Sequence, residues 1–332
     1  MSYVVGGVAM DLPVILGPGV AKHPSKLQPY MRADAPLGAV ITGSYTPKGR
    51  DGNLETPQQW PDTWEDFEQT QFMLNAWGMP NVGFAEAALA LLDLEVHRPI
   101  IVSIAGFSVQ DYVDGVRVFD SHPHVSAIEL NFGCPNAHDQ KTIPIAYDLD
   151  DMRDILEAIQ VTWPPKPLWI KLSPYATEDQ IKALSMEAPD LDLTHVPTTP
   201  RGFAGHVRDL LQKYHHVKAL VFSNTLPNVV YRQEDGSPVT GPNNGKAGLS
   251  GPLLKRLALD CLYDMRSGHM HRDVDLIGCG GILSGGDIQD YTLAGAKAFA
   301  CVSGPDMLGI KFFADLLQDD LAQFIFTDVM KD

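Results

Sequence analysis

Residues 100–131 read IIVSIAGFSVQDYVDGVRVFDSHPHVSAIELN: a short apolar run, a longer stretch able to carry a helix, and a second apolar run ending on a carboxamide. Ile100–Ile104 and Ala127–Asn131 have the β-branched, apolar composition of strands buried on both faces, and Val109–Val118 between them reads as a helix. Strand, helix, strand in this spacing is one βαβ unit. Outward from it the pattern recurs. Further strands are expected at Val14–Leu16, Ala39–Thr42, Leu168–Leu172, Ala219–Phe222, Asp275–Ile277 and Ala298–Val302, making eight in all. Helices are expected at Phe84–Leu92, Leu149–Gln160, Glu178–Met186, Gly205–Tyr214, Leu253–Ser267, Asp287–Leu293 and Ile310–Phe324. Asp148, Thr177 and Ser284 each stand where a side-chain oxygen can cap the helix that follows. Eight such units predict an α/β (β/α)8 TIM barrel. An open doubly wound sheet shows the same alternation. However, no G-x-G-x-x-G follows the first strand, and polar residues sit just after several different strands, which favours the closed form.

The chain has 332 residues, 45% of them hydrophobic and 20% charged, so it has ample material for a core. Barrels commonly run this long as one unit, and residues 1–332 are read as a single barrel domain. A formal net charge of −16 argues against nucleic acid or an anionic lipid surface as a partner. Four scattered cysteines with no CxxC argue against a zinc ribbon, a cluster motif or a disulfide framework, and imply a reducing compartment. The N-terminus lacks the features of an export signal and no long apolar run spans a membrane, so a cytoplasmic protein is expected.

Three segments are too long for bare connectors: Thr46–Asn75, Pro135–Tyr147 and Ala188–His206. All follow strands, and in a barrel the loops that follow strands lie on the catalytic face. The barrel is therefore expected to carry extended loops there. Ala188–His206, rich in Pro, Thr and Asp, reads as a surface excursion. The histidines His122, His124, His215, His216, His269 and His271 read as surface residues, and no metal site is expected.

The strand ending at Asn131 opens into Asn131-Phe132-Gly133-Cys134-Pro135-Asn136, a thiol between two carboxamides. Carboxamides offer donors and acceptors without charge and can hold a planar imide edge in a fixed orientation. The thiol is either the proton-transfer group or a small buried hydrophobe. In Ile170-Lys171-Leu172-Ser173-Pro174-Tyr175 a lysine stands inside an apolar strand, where its charge needs an anionic partner: an electron-rich flavin, or a structural carboxylate. Ser223-Asn224-Thr225 closes the sixth strand. Gly278-Cys279-Gly280-Gly281 and Ser284-Gly285-Gly286-Asp287, with Ser303-Gly304 after the eighth strand, read as a phosphate cradle in the position where barrel enzymes often hold phosphate. Gly248-Leu249-Ser250-Gly251-Pro252 opens another helix beside it.

Taken together, these motifs resemble the dihydroorotate dehydrogenase family, flavin enzymes of pyrimidine synthesis. The family's N-x-S-C-P-N is similar to Asn131–Asn136, its I-K-L-P-P-Y to Ile170–Tyr175, and its N-S-M-G-L-P-N to Asn75-Ala76-Trp77-Gly78-Met79-Pro80-Asn81. G-L-S-G-P and G-C-G-G-x-x-S-G match Gly248–Pro252 and Gly278–Gly285. The resemblance implies a barrel holding FMN and oxidising dihydroorotate to orotate, with Cys134 as base, Lys171 stabilising reduced FMN, and Pro135–Tyr147 as a gate. It implies substrate contacts from Lys22, Asn75, Gly78, Met79, Asn131, Asn136, Asn224 and Thr225. It implies cofactor contacts from Gly17, Gly19, Gly43, Ser44, Asn131, Lys171, Ser223, Gly251, Gly280, Gly281, Ser303 and Gly304.

The subclass signals are mixed. A cysteine base and Ile145-Ala146-Tyr147-Asp148 resemble the soluble class 1 enzymes that pass electrons to fumarate, which implies a soluble acceptor and a homodimer. The class 1 T-K-S, however, reads Thr42-Gly43-Ser44, as in class 2, whose lysine comes from the first βα loop. Lys22 matches that arrangement, with Lys48 the alternative. Gly133 for the usual serine and Trp77 for the usual methionine leave open a family member acting on another dihydropyrimidine. A non-catalytic barrel binding a phosphorylated metabolite is the competing class.

Overall fold

In the computed structural model, which describes residues 2–134, 143–162, 164–267 and 273–330, the eight expected strands close into one barrel. They run Val14–Leu16, Ala39–Ile41, Ile100–Ile104, Val125–Asn131, Leu168–Leu172, Val217–Phe222, Asp275–Cys279 and Ala296–Cys301. Each pairs in parallel with its sequence neighbour, and the last pairs with the first. Helices between the strands form the outer layer, so the chain has the (β/α)8 architecture read from its periodicity.

Strand alternation sorts the side chains into two cores. Outward-facing Ile128, Leu130, Ile170 and Leu220 pack against the helices. Inward-facing Ile15, Ile41, Ile101, Ala127, Trp169, Val221, Ile277 and Ala298 fill the barrel. A hairpin of Tyr3–Val5 and Val8–Met10 plugs its N-terminal end, adding Val5, Val8 and Met10 to the inner core. The wholly buried Trp169 donates from Nε1 to the Gly6 carbonyl at 2.9 Å.

Thr177 and Ser284 build capping boxes, and Asp148 accepts from the backbone N–H groups of Asp150 and Asp151, as their positions predict. The expected helix Ile310–Phe324 is instead two, Lys311–Gln318 and Asp320–Phe324. Asp319 between them is extended and caps the second through Leu321 and Ala322. The helix expected at Gly205–Tyr214 begins earlier, at Phe203 after a left-handed Gly202, and ends at Leu211.

The loops on the C-terminal face build a second layer. Gln59–Trp60, Met73–Asn75, Leu191–Asp192, Leu226–Tyr231 and Ala247–Ser250 form a five-stranded antiparallel sheet. This corrects the reading of Ala188–His206 as a surface excursion: Leu191, Leu193 and Val196 are buried in the core beneath the sheet. His122 is likewise buried, its ring bonded to the Ala88 carbonyl at 2.9 Å, because the turn after its helix folds back on the helix before.

Candidate active site

Where the barrel strands end under the accessory sheet, a cavity spans about 1190 Å³ including its open mouth. Its floor is the barrel and its roof the sheet. The same alternation that buries Ala127 and Trp169 inside the barrel turns Glu129, Asn131 and Lys171 inward, with Asn131 and Lys171 paired across adjacent strands. Asn131 reaches the cavity from one side and Cys134, three residues on and 8% exposed, from the loop above.

A continuous polar chain crosses this floor. Asn131 donates from Nδ2 to Ser44 Oγ at 2.8 Å, and Ser44 shares a 2.9 Å hydrogen bond with Ser103. Asn224 Nδ2 donates to Asn131 Oδ1 at 2.9 Å, while Asn224 Oδ1 accepts from the Thr225 N–H at 2.8 Å. These bonds fix both amide orientations, since each oxygen faces a donor and each nitrogen an acceptor. Asn75, on the roof, donates to the Gly248 carbonyl at 3.3 Å.

Of the residues expected from sequence, Gly19, Lys22, Gly43, Ser44, Asn75, Gly78, Met79, Asn131, Cys134, Lys171, Ser223, Asn224, Thr225, Gly280, Gly281 and Ser303 line this one cavity. Gly17, Gly251 and Gly304 stand behind the lining. A Cβ at Gly17 would meet Val302, one at Gly251 the Phe67 ring and one at Gly304 the Phe312 ring, so close packing accounts for all three glycines. Lys48 is exposed and away from the cavity. Asn136 lies outside the described residues, as does 135–142 of the expected gate. The far end of that segment is anchored: Ala146 donates its N–H to Phe132 and accepts from the Tyr175 hydroxyl, and Tyr147 donates to the Pro174 carbonyl.

Two sequence departures have visible reasons. A Cβ at Gly133 would come within 2.8 Å of Asn224 Cβ and 2.9 Å of the Leu172 carbonyl carbon, so a serine does not fit between these strands without moving them. A Cβ at Gly43 would press on the Ala21 carbonyl at 3.3 Å and Lys22 Cα at 3.4 Å. The segment carrying Lys22 thus packs directly against the end of the second strand.

Lys22 Nζ lies 3.4 Å from the centre of the Trp77 ring, a cation–π contact. Trp77 Nε1 donates to Gln59 Oε1, and Gln59 Nε2 to Asp306 Oδ2, both at 3.1 Å. Sequence reasoning missed Gln59, Asp306 and Glu129. Glu129 is wholly buried, and among the described residues neither carboxylate oxygen meets a partner at full hydrogen-bond geometry. Burial pushes its carboxyl above the ordinary range, and the Lys171 charge and the nearby Ser103 hydroxyl pull it back. Its signal was its strand position, two residues before Asn131 and therefore on the same face. Burial also raises the thiols of Cys279 and Cys301, and that of Cys261 up to about 12.

Among the described residues the buried Ser223 hydroxyl in the lining also has no hydrogen-bond partner. Gly281 has φ +64° with no room for a Cβ beside the Gly251 carbonyl, which leaves bare backbone at the cavity edge. An unpartnered hydroxyl, a buried lysine and bare glycine backbone form a donor set suited to a flat, phosphorylated, electron-accepting ring. Among the described residues no group of three or more His, Cys, Asp or Glu side chains is gathered to hold a metal, and no helix is long and apolar enough to cross a membrane.

The fold and site define a (β/α)8 barrel protein whose polar and thiol side chains converge on one cavity at the C-terminal ends of the strands. The family model described as dihydroorotate dehydrogenase matches residues 2–211 and 204–325, and the chain belongs to that family of oxidoreductases. Relatives include proteins named dihydroorotate dehydrogenase B (NAD(+)), catalytic subunit. The one from Endomicrobium trichonymphae is 29% identical over 90% of this chain and 84% of its own length. That from Porphyromonas gingivalis is 26% identical over 97% of this chain and 93% of its own. The fold is that of the Eimeria tenella DHODH crystallised with ferulenol, with a TM-score of 0.71 at 20% identity, covering 98% of this chain and 84% of that one.

Proposed function

We propose that this protein oxidises dihydroorotate to orotate with FMN held in the cavity. The observation that carries the reading is the convergence of Cys134, Lys171, Asn131, Asn224 and Lys22, from four segments of the chain, on that single cavity. FMN, when bound, supplies the acceptor for the hydride leaving C6 of the substrate. The chain's own residues do the rest. Ser223 and the backbone at Gly280, Gly281 and Ser303 hold the cofactor, and Lys171 places positive charge beside it. Asn75, Asn131, Asn224 and Thr225 present fixed donors and acceptors to the imide edge, while Lys22 faces the substrate carboxylate. Cys134 takes the proton from C5 as thiolate, an acid–base step of the kind worth about 10²–10⁴-fold.

The names of the relatives point to NAD+ as the final electron acceptor, and the fumarate expectation gives way to it. The word subunit in those names supports a companion chain that carries the electrons onward. A homodimeric catalytic core is part of the proposal and is checked by light scattering. Purified protein is expected to be yellow and to bleach anaerobically on addition of dihydroorotate. Folded, colourless protein that takes up no added FMN would end the reading, and FMN-loaded protein that no dihydropyrimidine bleaches would point to a non-catalytic barrel.

A further inference from the structure

Four side chains from three segments form one connected group at a corner of the cavity: Lys22 on the loop after the first strand, Gln59 and Trp77 from the insertion after the second, and Asp306 in the helix Ser303–Leu308 after the eighth. The hydrogen-bond roles are unambiguous. An indole N–H only donates, so Gln59 must turn its oxygen to Trp77, which leaves its NH2 for Asp306. The indole held edge-on by Gln59 in turn offers its face to the Lys22 ammonium. Gln59 and Asp306 therefore fix where the Lys22 charge sits, and Asp306 sets a negative charge in the same corner.

This has a consequence for an incoming anion. A carboxylate that meets Lys22 also meets Asp306 across a poorly solvated cavity, where like charges repel more strongly than in water. Relief comes by protonating Asp306, and the carboxyl is already biased that way. Burial raises it above the ordinary carboxylate range, opposed by Lys22 and the Gln59 hydrogen bond. The titratable groups coupled to it are Lys22, lowered by burial and raised by Asp306, and the Tyr30 hydroxyl, raised by burial and by Asp306.

We propose that Asp306 is a specificity-determining residue that makes entry of an anionic ring substrate proton-linked: the carboxylate seats at Lys22 together with one proton taken up by Asp306, whereas a neutral ring pays no such requirement. The inference rests on the dihydroorotate reading above, for which Lys22 is the carboxylate's partner.

The test measures binding of orotate and of uncharged uracil to FMN-loaded protein between pH 5 and 8.5, with proton uptake read by calorimetry in buffers of different ionisation heat. Wild type should bind orotate on the order of tenfold more weakly at the alkaline end, with net proton uptake in between. Asp306→Asn should flatten that profile, abolish the uptake and tighten orotate at high pH, leaving uracil unaffected. Asp306→Ser, which also removes the charge, should behave alike and guards against a folding defect in one variant. If orotate binds but the variants and wild type trace parallel profiles, the Asp306 proposal fails while the dihydroorotate reading stands. If wild type binds orotate at no pH, both fail.

Discussion

Replacing Lys171 by Met keeps the unbranched side chain as far as Cε and removes its charge, and the buried Glu129 should report the loss through pH-dependent stability. In the wild-type protein Glu129 is wholly buried, its carboxyl raised by burial and drawn back by Lys171 and by the neighbouring Ser103 hydroxyl. Without Lys171 it must rise further. The unfolded chain releases this proton near its ordinary value of about 4.3 while the folded chain keeps it. Stability therefore falls as pH climbs from that value to the folded one, and stays lower above it. Below the ordinary value the penalty vanishes. Severing a buried pair costs about 3–5 kcal/mol. Among the described residues Glu129 and Lys171 form no direct ion pair, so a smaller loss, about 1–3 kcal/mol, is expected. The quantity to measure is the wild-type minus Lys171→Met difference in urea unfolding of FMN-free protein at pH 8, less the same difference at pH 4. That subtraction cancels the cost of burying Lys171 itself. Adding Glu129→Gln to Lys171→Met should erase the pH dependence. Parallel stability curves for wild type and Lys171→Met, or a slope that survives in the double variant, would refute the coupling. With FMN present, loss of one charge-assisted contact of about 1.5–3 kcal/mol should weaken cofactor binding by roughly 10- to 150-fold in fluorescence titration.

The other sites make separate demands. Cys134→Ser should slow anaerobic flavin bleaching by about 10²–10⁴-fold in stopped flow while FMN stays bound; an unchanged rate removes the thiol from its role. Lys22→Ala should weaken orotate binding by on the order of tenfold or more, and Lys48→Ala should leave it unchanged, because Lys22 lines the cavity and Lys48 does not. Equal effects would contradict the assignment. Trp169→Ala should cost about 3–5 kcal/mol in denaturant unfolding, since it empties the inner core under the N-terminal hairpin. A smaller loss would mean that the hairpin collapses into the space.

The barrel was legible because its parallel strands, buried on both faces, read as short apolar runs, and every expected strand lies within two residues of an observed one. The accessory sheet was not. Gln59–Trp60 and Leu191–Asp192 have two residues each, too short for any period, and exist only through partners far along the chain, Asn75 with Gln59 and Tyr231 with Leu191. Motif residues such as Asn131 and Lys171 announced themselves as polar side chains in apolar strands. Glu129 stands in the same strand and carries the same signal, but it lies outside the motif that begins at Asn131. Asp306 gave no such signal: it lies between Ser303-Gly304 and the helix expected at Ile310, and only the fold shows it in the first turn of a short helix of its own, Ser303–Leu308. Only the fold of the segment that carries Gln59 reveals that this acid faces a cavity.

The exchange at Gly43 shows how the site keeps a charge while the backbone that carries it changes. A lysine on the second strand would need the volume that Ala21 and Lys22 now occupy, since even a Cβ there meets their backbone at 3.3–3.4 Å. With glycine at that position the first βα loop closes down on the strand end and delivers Lys22 from the other side. Trp77 supports the lysine arriving by this route with a flat face under the ammonium at 3.4 Å, itself held by Gln59. An aromatic in place of the more flexible methionine is then the expected companion of the glycine, because a thioether offers no ring face to a cation. If the departure from the class 1 pattern at position 43 and the tryptophan at position 77 work together, each should be poorly tolerated without the other. Trp77→Met alone should therefore loosen Lys22 and weaken orotate binding, measured by titration, nearly as much as Lys22→Ala does.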